Sequence, residues 1–143
     1  MKKRWRCYLL IGVLFGIFDF YFQNWMQDIL SGRMGNVALI PILGVWLAMV
    51  IPIAMREAKA SRSAWLAAAA SAFSWSVSII SYYLFMGVKL ILIGQPGREE
   101  MLISNRADPF YWSNVKSFFT GDFLAGVSEW IIVALIGGCL VGL

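Results

Sequence analysis

The chain has 143 residues, of which 60% are hydrophobic and 14% charged, with 12 Lys+Arg against 8 Asp+Glu and a net charge of +4. A soluble domain carries about 25% charged residues, and a mean hydropathy of +0.72 leaves too little polar surface to cover a water-soluble globule of this size. The composition excludes a disordered chain, a nucleic-acid-binding domain and a disulfide scaffold, and leaves an integral membrane protein.

Lys2, Lys3, Arg4 and Arg6 precede an apolar stretch from Tyr8 to Phe22. A cleavable signal would continue into small residues. The chain reads Phe22-Gln23-Asn24-Trp25-Met26 instead, so the stretch is expected to be a retained anchor. A spanning helix needs about 20 mostly apolar residues, and the first is expected over about 8–26, bracketed by Trp5 and Trp25. Amphipathic rings prefer the two membrane interfaces. The second is expected over about 37–55. Within it, Pro52 frees the carbonyl of Ala48 and should kink the last turns.

The third span is expected over about 64–90 and the fourth over about 123–143. Between them Gly94-Gln95-Pro96-Gly97 is a turn cluster. Asp108-Pro109 then reads as a helix cap followed by proline at the first helical position, with Gly121 as the closing residue. Tyr111, Trp112, Val115, Phe118 and Phe119 fall on one side of that helix. An amphipathic interfacial helix is expected over about 109–120, either as a lid or as an anchor in the headgroups. The expected fold is therefore all-α, four transmembrane helices in one bundle plus this interfacial helix, forming a single polytopic membrane domain over 1–143.

The basic tail and the second-to-third loop (Arg56, Lys59, Arg62) hold seven Lys/Arg, against five on the other side, counting Lys89. Both termini are expected in the cytoplasm. A bacterial plasma (inner) membrane is the default location, from compactness and the basic anchor.

Four spans leave few charges inside the bilayer, and those need a reason. Asp19 sits inside the first span, where a carboxylate costs roughly +2.5 to +3.5 kcal/mol on insertion scales. Gly12, Gly16, Asp19 and Gln23 share a narrow arc of that helix. The two glycines let another helix backbone approach closely. Glu129 lies in the fourth span, at about the depth of Asp19 if the N-terminus is inside. Two carboxylates at one depth suit proton coupling or cation binding, or each serves only as an interhelical hydrogen bond. In the third span Ser71, Ser74 and Ser78, with Ser81, form a stripe that either lines a polar path or cements packing. Lys89 continues near that face, as a counter-ion for Asp19 and Glu129 or as a lysine snorkelling to the headgroups. Trp46, Trp75 and Trp130 are expected in bundle packing, with an aromatic box for an organic cation as the alternative.

The outline of four short spans with a carboxylate in the first is similar to that of small multidrug transporters. The third connection is longer, and no residue is carried over from that resemblance. The chain has no histidine and two cysteines, Cys7 and Cys139. No nucleophile–base pair or metal set appears, so no enzyme, metal or cofactor is expected. Two readings remain. One is a small proton- or cation-coupled transporter or ligand-binding membrane protein, with Asp19, Glu129, Lys89 and Gln23 at its site. The other is a non-catalytic accessory subunit of a larger membrane complex. Expected partners are the lipid bilayer and either further copies of the chain or a membrane subunit, and no nucleic acid.

Overall fold

A computed structural model describes residues 2–30, 39–93, 107 and 109–143. The described residues form α1 (Lys2–Leu30), α2 (Leu39–Ser61), α3 (Ala64–Ile93), α4 (Tyr111–Phe118) and α5 (Leu124–Gly142), with a π-helical turn (Phe119–Phe123) joining the last two. No strand occurs among them. Three helical stretches are long and apolar enough to cross a membrane: Lys2–Met26, Ala64–Lys89 and Tyr111–Gly142. An all-helical chain of this kind satisfies its backbone hydrogen bonds internally, as a hydrocarbon surrounding demands.

Helix α3 is the centre of the bundle, and small residues set its packing. On α1, a side chain at Gly12 would meet the Ser74 carbonyl oxygen at 2.7 Å, and one at Gly16 would run into the Ser78 carbonyl. Residue numbers rise together along this seam, so α1 and α3 run parallel. On α5, side chains at Gly138 and Gly142 would meet the α3 backbone at Ala72 and Ala68, and one at Gly126 would meet Tyr83. Here the numbers run oppositely, so α5 is antiparallel to α3. Without a hydrophobic force between helices in lipid, this close backbone approach supplies the dispersion contacts that hold them together.

Helix α2 packs antiparallel to α1. Tyr8 of α1 meets Glu57 near one end, and Phe15 meets Trp46 nearer the other. One core cluster joins Tyr8, Trp46, Met49, Val50, Ile53, Trp75 and Ile79. The α2–α3 turn is tight. Arg62 takes a left-handed φ of 52°, its N–H donates to Ala58 O at 2.8 Å, and the Ser63 hydroxyl accepts from Leu66 N–H at 3.4 Å at the start of α3.

The second cluster forms where α4 folds back on the bundle. Tyr111, Val115 and Phe118 are buried against Phe20, Tyr82 and Met86. Three differences from the sequence expectation appear here. The helix starts at Tyr111 with Phe110 at the cap position, where its own side chain makes no capping hydrogen bond. Pro109 lies in a turn, while Asp108 and the Gly94–Gly97 cluster fall outside the described residues. Gly121 does not close the helix. It sits inside the π turn, which keeps the backbone hydrogen-bonded through to α5, so no terminus is needed there. Trp112, assigned to the apolar face from the sequence, is exposed, because Tyr111, Val115 and Phe118 repeat at four and three residues and Trp112 lies off that line. Helix α2 also runs to Ser61, six residues past the expected end of its span, so Arg56, Lys59 and the intervening Glu57 are helical rather than in a loop.

Candidate functional site

Two carboxylates, Asp19 and Glu57, have no exposed surface at all. They stand at different heights in the bundle, each in its own polar group. Taking a carboxylate out of water is expensive unless hydrogen bonds or charges accompany it, so their surroundings define the candidate site.

Asp19 lies on the buried side of α1, one turn beyond Gly16. Its Oδ2 accepts a hydrogen bond from Gln23 Nε2 at 2.7 Å. The two residues are four apart and therefore neighbours on one helix face. Gln23 Oε1 in turn accepts from the Tyr82 hydroxyl of α3 at 3.4 Å. The result is a relay of neutral donors, Tyr82 to Gln23 to Asp19, that ties the carboxylate to the central helix. Next to it, the Lys89 ammonium sits 5.0 Å from the centre of the Phe20 ring and 5.4 Å from that of Tyr21. Ring faces attract a cation at this range. Lys89 makes no ion pair among the described residues, so its counter-charge is the π density of two α1 side chains.

Glu57 was not singled out by the sequence. Its Oε2 accepts from the Tyr8 hydroxyl at 2.8 Å, and Arg4 Nη2 lies 3.4 Å from its Oε1. Arg4 and Tyr8 are four residues apart on α1, so both reach the same point of α2. Arg4 is part-exposed with a side-chain exposure of 29%, so the polar interior reaches the outside at this end of the bundle. A signal for Glu57 existed. Trp46, Val50, Ile53 and Glu57 follow helical spacings of four, three and four, and continuing that stripe past Met55 puts Glu57 on the buried face.

Ser71, Ser74 and Ser78 are completely buried on α3 between these two groups. The Ser78 hydroxyl donates to the Trp75 carbonyl at 3.0 Å. The hydroxyls of Ser71 and Ser74 have no hydrogen-bond partner among the described residues. Gly12 and Gly16 lie against the same stretch of α3. The sequence-selected glycines and serines thus meet in one seam.

Glu129 does not join them. The seam registers put it level with Ser81, and Asp19 falls at the same level, but Glu129 is exposed on α5. It lies nine residues before Gly138, two and a half turns, and so opposite the face that packs on α3. The face of α5 that packs on α3 therefore does not carry Glu129 into the group expected with Asp19 and Lys89. Trp46 and Trp75 stack at 5.9 Å within the core, whereas Trp130 is exposed, so the three tryptophans do not form a box. Among the described residues no group of three acidic or sulfur side chains could hold a metal ion. No protein-family model, no curated protein and no solved structure matches this chain.

Proposed function

We propose that the chain is a small proton- or cation-coupled membrane transport protein whose working group is Asp19. The observation that carries this reading is the complete burial of Asp19 inside a helix apolar enough to span a membrane. A carboxylate kept at such a position has a cost that packing alone does not require, and intramembrane acids commonly mark ion or proton pathways. Its amide partner Gln23 and the Tyr82 relay hold it in place on the central helix. Lys89 then tunes the field at the site from its seat on Phe20 and Tyr21.

The arrangement of helices supports four spans rather than three. α1 and α3 are parallel, so if both cross, the chain must return across the membrane between them. α2 is that return, through its apolar part up to Met55. The basic residues at the start of α1 and the end of α2 then fall on one side, which suits a cytoplasmic N-terminus in a plasma membrane. In this placement α4, with Lys116 and Ser117 exposed and Tyr111 packed inward, lies at the opposite interface.

The test is ion movement in sealed liposomes. Purified protein is reconstituted, the potential is clamped, and proton or sodium gradients are imposed with an internal dye for each ion. The reading expects protein-dependent movement of one ion, abolished by Asp19→Asn and reduced less by Gln23→Ala. Movement no faster than in protein-free liposomes, or unchanged in Asp19→Asn, overturns it.

One observation favours the second reading, an accessory subunit or an oligomer. Glu129 is exposed within α5, beside Ile132, Val133 and Ile136, which are exposed too. A carboxyl facing hydrocarbon is stabilised by a partner helix. Purification in mild detergent as a defined larger complex, with no ion movement by the chain alone, would select that reading.

A further inference from the structure

The two buried carboxylates sit on one side of the same helix. Tyr8, which holds Glu57, and Asp19 are eleven residues apart, close to three full turns, so they share a face of α1 and stand about 16 Å apart along its axis. Ser71 and Ser78 are seven apart, about two turns, and share a face of α3, with Ser74 between them. All three serines have no exposed surface. Two of their hydroxyls, Ser71 and Ser74, have no hydrogen-bond partner among the described residues. A buried hydroxyl left so costs about 1–3 kcal/mol, and in proteins such groups are ordinarily satisfied by internal water. On the α1 side of this stretch, Gly12 and Gly16 bring the α1 backbone into contact with α3 at Ser74 and Ser78.

We propose that the interior between α1, α2 and α3 is a proton-access path that runs from Glu57 to Asp19. It rests on the reading of Asp19 as the working group and names the coupled ion as the proton. Glu57 exchanges protons with water at the end where Arg4 emerges. Tyr8, Ser71, Ser74 and Ser78, with water between them, carry the proton onward to Asp19. Each hydroxyl takes a proton on its oxygen as it gives up its own, so it is unchanged after the transfer. The Tyr8 hydroxyl, which donates to Glu57 at 2.8 Å, passes protons the other way once its O–H bond has turned. The proton lost by Glu57 is replaced from the aqueous side, and the one gained neutralises the Asp19 carboxylate. A metal cation fits this path poorly. Hard cations take roughly six or more oxygen ligands, and a single file of hydroxyls with carboxylates at its two ends does not replace a hydration shell.

Two measurements test the path. In a background of Cys7→Ser and Cys139→Ser, a small water-soluble thiol reagent is added from the Arg4 side to Ser71→Cys and Ser74→Cys. Ala134→Cys, fully buried on α5 outside that interior, is the dry control. The path predicts faster modification of both serine positions than of Ala134→Cys, and rates equal to that control overturn it. In liposomes, proton movement should fall at least about tenfold in Glu57→Gln, in line with loss of a proton-transfer group, and recover in Glu57→Asp. Full activity in Glu57→Gln, with Asp19→Asn inactive, leaves the Asp19 reading standing and removes the path. Fast modification of Ser71→Cys and Ser74→Cys without any ion movement keeps the path and removes the transport reading.

Discussion

Removing one oxygen atom tests the Glu57 group most cleanly. Tyr8→Phe keeps a ring that is fully buried and in edge contact with Trp5 at 6.4 Å, so little apolar area changes. It deletes the donor that lies 2.8 Å from Glu57 Oε2. A hydrogen bond to a charged group is worth about 1.5–3 kcal/mol, and Glu57 has no exposed surface, so a loss of about 2 kcal/mol is expected. That is roughly a thirtyfold change in the unfolding equilibrium. In a Glu57→Gln background the same deletion removes only a neutral hydrogen bond, worth about 0.5–1.5 kcal/mol. The two changes should therefore couple by about 1 kcal/mol, within the range for residues in contact. Reversible unfolding of wild type, both single variants and the double variant in one detergent–lipid mixture gives all four values. A Tyr8→Phe cost below about 0.5 kcal/mol, or the same cost in both backgrounds, would refute the claim that the hydroxyl stabilises a buried charge.

Further outcomes follow from the seams and the turn. Gly16→Leu should separate α1 from α3, since even a methyl group there meets the Ser78 carbonyl and comes within 2.8 Å of Ser81 Cβ; overpacking of this kind costs about 1–3 kcal/mol or more. Gly44→Ala, where nothing lies within 4 Å, should instead gain about 0.5–1 kcal/mol from helix propensity, read in the same unfolding assay. Arg62→Gly should raise stability by up to about 1 kcal/mol, because it relieves a left-handed φ of 52°. Lys89→Met should lower stability by about 0.5–2 kcal/mol through loss of the attraction to Phe20 and Tyr21, and Lys89→Arg should restore most of it.

The sequence made the long apolar helices legible because burial in lipid imposes length and hydropathy on every residue of a span. It also showed which faces of α1 and α3 are small and polar, since Gly12, Gly16, Ser71, Ser74 and Ser78 repeat at helical spacing. Other features depended on rotation and on where helices end. Glu129 has the same height as Asp19, but height says nothing about which side of α5 it occupies. The glycines at 137, 138 and 142, not the carboxyl, choose the side that meets α3. Glu57 was hidden by its basic neighbours Arg56 and Lys59, which read as a loop although the buried stripe of α2 continues through them. Gly121 reads as a helix end by local chemistry, yet a π turn carries the chain through it, because Phe118, Phe119 and Phe123 pack against the aromatic cluster on both sides of that turn.

The central claim is that Asp19 works as a protonatable group rather than as packing. A hydrophobic carbodiimide adds to protonated carboxyls in apolar surroundings, and mass spectrometry locates the adduct. Reconstituted protein is treated for increasing times, and ion movement is plotted against the modified fraction at each carboxyl. The account predicts that activity falls in step with the Asp19 adduct and independently of any adduct at Glu129. Full activity in protein whose Asp19 is modified would contradict it.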